Sequence, residues 1–299
     1  GYMGFGVALT FQTTSIMNVT VSNCELSNIG RVGIHVDRNG PSSPSSVGTI
    51  INNIYLGKGT GDHLDYAVEV GGGAHAIITN NTISNCLGVA LSDGSTSAGI
   101  LATTYYDNGT SALVNNNQFN NTSTAIAVGY NASDLSQVEA HNNSFTNCEY
   151  GVTSTAPPVN AENNWWGTAL ELQIQAMISG PVDYDPWIGK AETVPVSQLT
   201  PTVYNFPSAS VKMLFTTLPL NGGNVTVTRY NVAPTPFPSG YTNVGMWLDI
   251  TSTMPNYSFD VTISVDVFGI AGFDASTIVM YKTSGGTWLA VPGGTYLAS

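Results

Sequence analysis

Along the first 166 residues, short apolar stretches alternate with small polar bends, and the bends share a motif. Stretches such as Ala76-Ile77-Ile78 and Ala112-Leu113-Val114 run into Asn-Asn-x-Φ, where Φ is a large apolar residue. A second set of short stretches follows the motif: Val89-Ala90-Leu91, Ile126-Ala127-Val128 and Gly151-Val152-Thr153. Runs this short, with period-two alternation, form strands rather than helices. A single strand–bend–strand unit cannot bury its apolar face, whereas stacked copies bury one continuous core. The pattern predicts an all-β chain that begins with a parallel β-helix.

Six copies set the repeat: Asn18-Val19-Thr20-Val21, with one Asn replaced, then Asn52-Asn53-Ile54-Tyr55, Asn80-Asn81-Thr82-Ile83, Asn116-Asn117-Gln118-Phe119, Asn142-Asn143-Ser144-Phe145 and Asn163-Asn164-Trp165-Trp166. The anchors Val21, Tyr55, Ile83, Phe119, Phe145 and Trp166 lie 34, 28, 36, 26 and 21 residues apart. The shortest interval reads as the bare coil, and the excess as loops near 38–49, 57–65, 92–109 and 129–138. Asn suits the bend because it tolerates left-handed backbone, and its amide can bond the same residue of the next coil.

Cys24, Cys86 and Cys148 are spaced by 62 and 62, each after a Ser/Thr-Asn step, which suggests one register position in coils one, three and five. Neighbouring coils stack about 4.8 Å apart. Positions two coils apart are then about 9.6 Å apart, too far for a disulfide. Three free, buried thiols are expected, and no metal held between them.

After the last copy, Leu170, Ile174 and Ile178 fall on one face of a short helix over 169–179. It is suited to covering the open end of a solenoid. The string Asn163-Asn164-Trp165-Trp166-Gly167-Thr168, a short helix, then Gly180 and Val182-Asp183-Tyr184-Asp185-Pro186-Trp187-Ile188 resembles the terminal coil of right-handed parallel β-helix domains. These are the pectate-lyase-like and NosD-like repeats common in secreted bacterial and archaeal proteins. The resemblance covers about residues 1–190. It implies a right-handed solenoid and an extracellular or cell-surface setting, and it implies no particular chemistry.

The expected organisation is a β-helix with a Trp-rich cap over 1–188, a linker over 189–201 and an antiparallel β-sandwich over 202–299. Strand patterns at 211–215, 225–230, 246–250, 259–265 and 277–281, separated by turn signals such as Asn221-Gly222-Gly223, support the sandwich. The stretch from Phe273 to Pro292 is similar to sandwich modules near the C-termini of secreted surface proteins, which usually carry one more strand. That comparison leaves two expectations: a neighbouring subunit supplies the strand by strand addition, or the sequence stops short of it. The opening segment Gly1 to Thr10 resembles the second strand of a coil, so the chain reads as a processed or trimmed piece of a solenoid.

Composition narrows the partners. Charged residues are 9% of the chain and the formal net charge is −12, with seven scattered Lys+Arg. Nucleic acid and anionic membranes are poor partners for such a surface. No run of about 20 apolar residues exists to span a membrane. Self-association and glycans are the expected partners. Nine Asn-x-Ser/Thr sequons occur, with Asn108, Asn131, Asn224 and Asn256 the better glycan acceptors because they lie outside the coil bends.

Candidate chemistry is thin. Asp62, His63 and Asp65 place two carboxylates and an imidazole on one loop, with Arg31, His35, Asp37 and Arg38 one coil earlier. This is the weak candidate for a polysaccharide-cleaving or sugar-binding site. Asp183 and Asp185 are weak Ca²⁺ candidates, with capping of the turn that docks Trp187 as the competing role. No other cofactor is expected. Tyr105, Tyr106 and Tyr130 are candidate aromatic contacts for a glycan, and His75 and His141 read as structural. The leading expectation is a secreted or cell-surface structural protein, a subunit of a filament or array. The alternatives are a carbohydrate-active lyase or hydrolase and a passive glycan-binding module.

Overall fold

The computed structural model describes residues 4–11, 16–38, 46–155, 157–197, 202–219, 221–230, 247–254, 260–265, 281–284 and 287–290. The chain divides into two units, Gly1–Trp187 and Ile188–Ser299.

The first unit is a right-handed parallel β-helix of three sheets. One sheet stacks Phe5–Phe11, Val32–Arg38, Tyr66–Val70, Ala98–Ala102, Thr124–Val128, Tyr150–Ser154 and Ile178–Ser179. A second runs from Asn18–Ser22 through Val47–Ile51, His75–Thr79, Ser111–Asn115, Gln137–His141 and Val159–Asn160 to Val182–Asp183. The third holds Glu25–Ser27, Ile54–Gly59, Thr82–Cys86, Gln118–Asn120 and Ser144–Thr146. The anchors of the repeat therefore lie on a strand of their own rather than beside the bend. In the third coil, the strand of the first sheet is Ala98–Ala102. The predicted Val89-Ala90-Leu91 contributes only an isolated bridge from Val89 to Thr96.

Register corrects the first repeat. Val21 pairs with Ile50, whereas Tyr55 pairs with Leu26. The first copy is thus Asn23-Cys24-Glu25-Leu26, and Cys24 occupies the place of the second Asn. Cys86 and Cys148 do share a column, with Thr122 between them donating its hydroxyl to Cys148 Sγ at 3.2 Å. The equal spacing of the three cysteines is a coincidence of loop lengths. All three thiols are free, as expected; Cys86 is buried, and Cys24 and Cys148 are half-buried.

The bend is built as its residues require. Asn23, Asn52, Asn80, Asn116, Asn142 and Asn163 all take positive φ between 55° and 59°. A second ring of left-handed bends, at Asn28, Asn85, Asn121 and Asn147, turns the third sheet back toward the first. The second Asn of each pair points inward and forms a buried ladder. Asn53, Asn81, Asn117 and Asn143 each donate a backbone N–H and a side-chain amide to Oδ1 of the next member, at 2.8–3.1 Å. Each amide also donates back to the preceding coil, to the carbonyls of Val21, Ile50, Ile78 and Val114. The interior therefore carries a polar column with its hydrogen bonds met, which removes the cost of burying it.

Beside that column runs the aromatic stack. Phe119 lies 5.6 Å from Phe145, Phe145 4.9 Å from Trp166, and Tyr184 bridges Trp166 to Trp187. Burying a side chain of this size contributes about 1.5–3 kcal/mol. The first sheet makes room with small residues. A Cβ on Gly33 would meet Tyr55 Cε2 at 2.4 Å, one on Gly99 would meet Phe119 at 2.8 Å, and one on Gly151 would meet Trp166 at 2.5 Å. The helix is shorter than expected, Glu171–Ala176, and only Ile174 is buried. Leu170 is exposed, and Ile178 belongs to a strand paired with Tyr150–Ser154.

The second unit is a small β-sandwich. One antiparallel sheet orders Ala191–Val196, Gly223–Tyr230 and Trp247–Ser252. The other orders Thr202–Phe206, Val211–Thr217 and Asp260–Val265. Val196, Val225 and Val227 from the first share a core with Phe206, Met213 and Phe215 from the second. A hairpin joins Tyr281–Ser284 to Thr287–Ala290. The expected linker 189–201 thus contains a strand, because Ala191–Val196 alternates in exposure and ends on the buried Val196. Most of the expected strand 277–281 lies outside the described residues.

Candidate functional site

The loop after Ala98–Ala102 and the loop after Thr124–Val128 carry three exposed tyrosines on neighbouring coils. Tyr105 is 62% exposed and Tyr130 46%, with Tyr106 between these values. Their rings meet edge to face. Tyr105 lies 5.0 Å from Tyr106 and 5.0 Å from Tyr130, with interplanar angles of 86° and 81°. The series continues inward: Tyr106 meets His35 edge-on at 6.5 Å, and His35 stacks on Phe5 at 4.7 Å. Five rings thus run along the outside of the solenoid, from the loop after Thr124–Val128 to the strand Phe5–Phe11.

One carboxylate sets the outer part of this strip. Asp134, 2% exposed, sits under both loops. Its Oδ2 accepts the Thr103 hydroxyl at 3.1 Å, the Thr104 N–H at 2.9 Å and the Tyr130 N–H at 3.2 Å, while Oδ1 accepts the Ser136 N–H at 2.9 Å. Tyr105 is tied one bond further out, its N–H donating to the Thr103 hydroxyl. Burial pushes the Asp134 carboxyl up, but hydrogen bonds from Ser136, Thr104 and Thr103 outweigh it and hold the group below the usual carboxylate range.

A polar cluster lies beneath the inner rings. His35 pairs in register with Glu69, on the outward side of the first sheet. They are 8% and 4% exposed. Burial pushes the Glu69 carboxyl up; His35 and Arg31 draw it back down, and Asp37 adds to the rise. His35 Nδ1 is buried with no hydrogen-bond partner. Arg31 lies over the Tyr66 ring at 5.5 Å. The pair has the chemistry to hold and move a proton, but Phe5 and Tyr106 cover it.

The loop residues singled out by sequence do not converge. Asp65 is buried and faces inward, accepting the Tyr55 hydroxyl at 2.5 Å and the Lys58 N–H at 2.7 Å. Burial, then Asp65, pushes the Tyr55 phenol up. Asp62 points outward and accepts the Leu91 N–H at 2.9 Å. His63 packs under Gly88, where any added Cβ would meet its ring. Asp62 thus ties neighbouring loops, Asp65 is spent within its own coil, and His63 Nε2 is buried without a hydrogen-bond partner. Asp183 lies in a strand paired with Asn160, and its carboxylate accepts the Asp185 N–H at 3.4 Å. Among the described residues, no group of three or more His, Cys, Asp or Glu is placed to hold a metal ion. His75 bonds Ser111 Oγ at 2.5 Å and His141 bonds the Glu162 carbonyl at 3.0 Å.

Sequence reasoning missed Glu69 and Asp134. Glu69 carried a signal, a lone charge inside the apolar stretch Tyr66-Ala67-Val68-Glu69-Val70. Asp134 carried none, because its partners are mostly backbone N–H groups, two in its own loop and one a coil away. Of the sequons, Asn108 and Asn131 flank the tyrosines and are exposed, and Asn224 is exposed on a strand. Asn256 lies outside the described residues.

Residues 5–165 match the family model described as "Right handed beta helix region". No curated protein and no solved structure matches the chain.

Proposed function

The chain belongs to the right handed beta helix family, and on that premise we propose that it is a secreted or cell-surface structural protein, the shaft of a larger extracellular filament or array. The supporting observation is the unbroken Asn ladder from Asn53 to Asn164, in which every coil is bonded to the next through buried amides. Such a column resists sliding between coils, because a shift of one residue would orphan several buried donors at once. A β-helix so bonded, in a chain with only 9% charged residues, suits a scaffold. Immunogold labelling of intact native cells tests the placement. Label on the outer surface is expected, and label confined to the interior would refute it.

A second reading is a passive glycan-binding module, favoured by the exposed Tyr105–Tyr106–Tyr130 strip. Aromatic faces pair with the apolar faces of sugar rings, and a rigid scaffold presents them without an ordering cost. The net charge of −12 favours neutral over anionic glycans. Binding to a neutral glycan array, lost in Tyr105→Ala, is the expected outcome under this reading.

A further inference from the structure

We propose that Asn131 carries an N-linked glycan whose first sugars lie on the Tyr130–Tyr105 strip, so that the strip holds the protein's own sugar. The inference rests on the extracellular placement proposed above and adds a modification site to it.

The sequons differ in what the fold leaves free. Asn121 donates its side-chain amide to Asn85 Oδ1 at 2.7 Å, so the nitrogen that would be modified is in use. Asn120 is exposed, but its sequon hydroxyl, on Thr122, is buried and donates to Cys148 Sγ at 3.2 Å. Asn80 and Asn142 are left-handed bend residues between stacked coils. Asn108 is exposed, but its sequon hydroxyl, on Thr110, is buried and spent on the Thr103 carbonyl and the Gly73 N–H.

At Asn131 the arrangement is different. Asn131, Ala132 and Ser133 are all exposed. Asn131 Oδ1 accepts both the N–H and the hydroxyl of Ser133 at 2.8 Å, so the amide oxygen is held in place. Modification at Nδ2 leaves that oxygen and both bonds intact. The loop cannot swing away, since Thr155 donates its hydroxyl to the Asn131 carbonyl at 2.9 Å and Asp134 holds the Tyr130 N–H. Asn131 therefore leaves a fixed loop directly beside Tyr130, with the exposed Tyr105 ring 5.0 Å further on. A sugar attached there meets an aromatic surface already in position, close to solvent-exposed apolar area that a bulky polar group shields. In the transfer itself, the Nδ2–C1 bond forms as the C1–O bond to a lipid-linked phosphate donor breaks. Nδ2 gives up one proton and the lipid phosphate leaves.

Intact-glycopeptide mass spectrometry of the protein purified from its native host tests the site. The peptide spanning Asn131 is expected to carry a glycan mass that Asn131→Gln removes. An unmodified Asn131 overturns the proposal, and if immunogold still finds the chain on the cell surface, the scaffold reading stands. The stacking is tested by melting the glycosylated protein against the same protein after enzymatic or chemical deglycosylation. Removal is expected to lower Tm by about 2–4 °C in the wild type and to leave Tm unchanged in the Tyr105→Ala, Tyr130→Ala double variant. An equal drop in both would show that the glycan does not lie on the strip.

Discussion

Asn117 donates its backbone N–H and its side-chain amide to the same oxygen, Oδ1 of Asn143, at 2.9 and 3.1 Å. Its own Oδ1 accepts the equivalent pair from Asn81, at 2.9 Å each. Replacing Asn117 by Ala leaves the buried Asn81 backbone N–H without its acceptor, takes a donor from the Ile78 carbonyl, and leaves the Asn81 amide only the Ile50 and Thr79 carbonyls. A single unmet buried group costs about 1–3 kcal/mol. Asn117→Ala is expected to destabilise the β-helix by about 2–4 kcal/mol, read from the urea midpoint at unchanged m-value.

The same ladder has a gap at its first position. The Cys24 N–H donates to Asn53 Oδ1 at 3.0 Å, as a ladder Asn would, but the thiol makes no equivalent of the side-chain bond to Asn53. Cys24→Asn supplies the missing amide and is expected to raise stability by about 0.5–1.5 kcal/mol. A fall in Tm would show that Cys24 is not in the ladder register.

Gly33 faces the Tyr55 ring and the Ala67 carbonyl, with an added Cβ at 2.4 and 2.6 Å. One of these is backbone, so the site cannot relax by turning a side chain. Overpacking a filled core costs about 1–3 kcal/mol. Gly33→Ala is expected to lower Tm, whereas Gly59→Ala, which meets no neighbour within 4 Å, bears only the strain of its φ of 78°.

The Asp134 carboxyl is held below its ordinary range by its donors. A depressed folded pKa contributes stability that is present above the unfolded pKa of about 3.9 and is lost as pH falls through the folded value. The loops bearing Tyr105 and Tyr130 are therefore expected to loosen only in acid below about pH 4. Asp134→Asn is expected to loosen them at neutral pH, since its single amide oxygen can serve either the Thr104 and Tyr130 N–H groups or the Ser136 N–H, and the amide nitrogen can accept neither. Amide hydrogen exchange at Thr104 and Tyr130 checks both statements. Exchange that is independent of pH in the wild type, after correction for the intrinsic rate, would contradict the clamp.

Much of this architecture is legible in the chain. Asn-Asn pairs followed by large apolar residues mark the bends because left-handed backbone and a buried amide acceptor are jointly demanding, and Asn meets both. Register was harder to read. Val21 and Leu26 are both apolar residues near an Asn, and only pairing with Ile50 and Tyr55 separates them. Val89-Ala90-Leu91 alternates as well as Ala98–Ala102, but it belongs to a loop that only the stacking of Tyr66–Val70 excludes from the sheet. The site was legible in part. Tyr105, Tyr106 and Tyr130 stand out as aromatics in polar loops, while their alignment depends on Asp134, whose role exists only once the loops after Ala98–Ala102 and Thr124–Val128 are stacked. Asp62, His63 and Asp65 showed the opposite: nearness in sequence placed them on one loop, and the bends of that loop left Asp65 buried and Asp62 exposed.

The scaffold role is tested most directly by electron microscopy of native surface material labelled with antibody to this chain. Label repeating along filaments or ordered arrays on the cell exterior is the expected result. Label confined to the cell interior, or found only on dispersed single particles with none on any assembly, would contradict it.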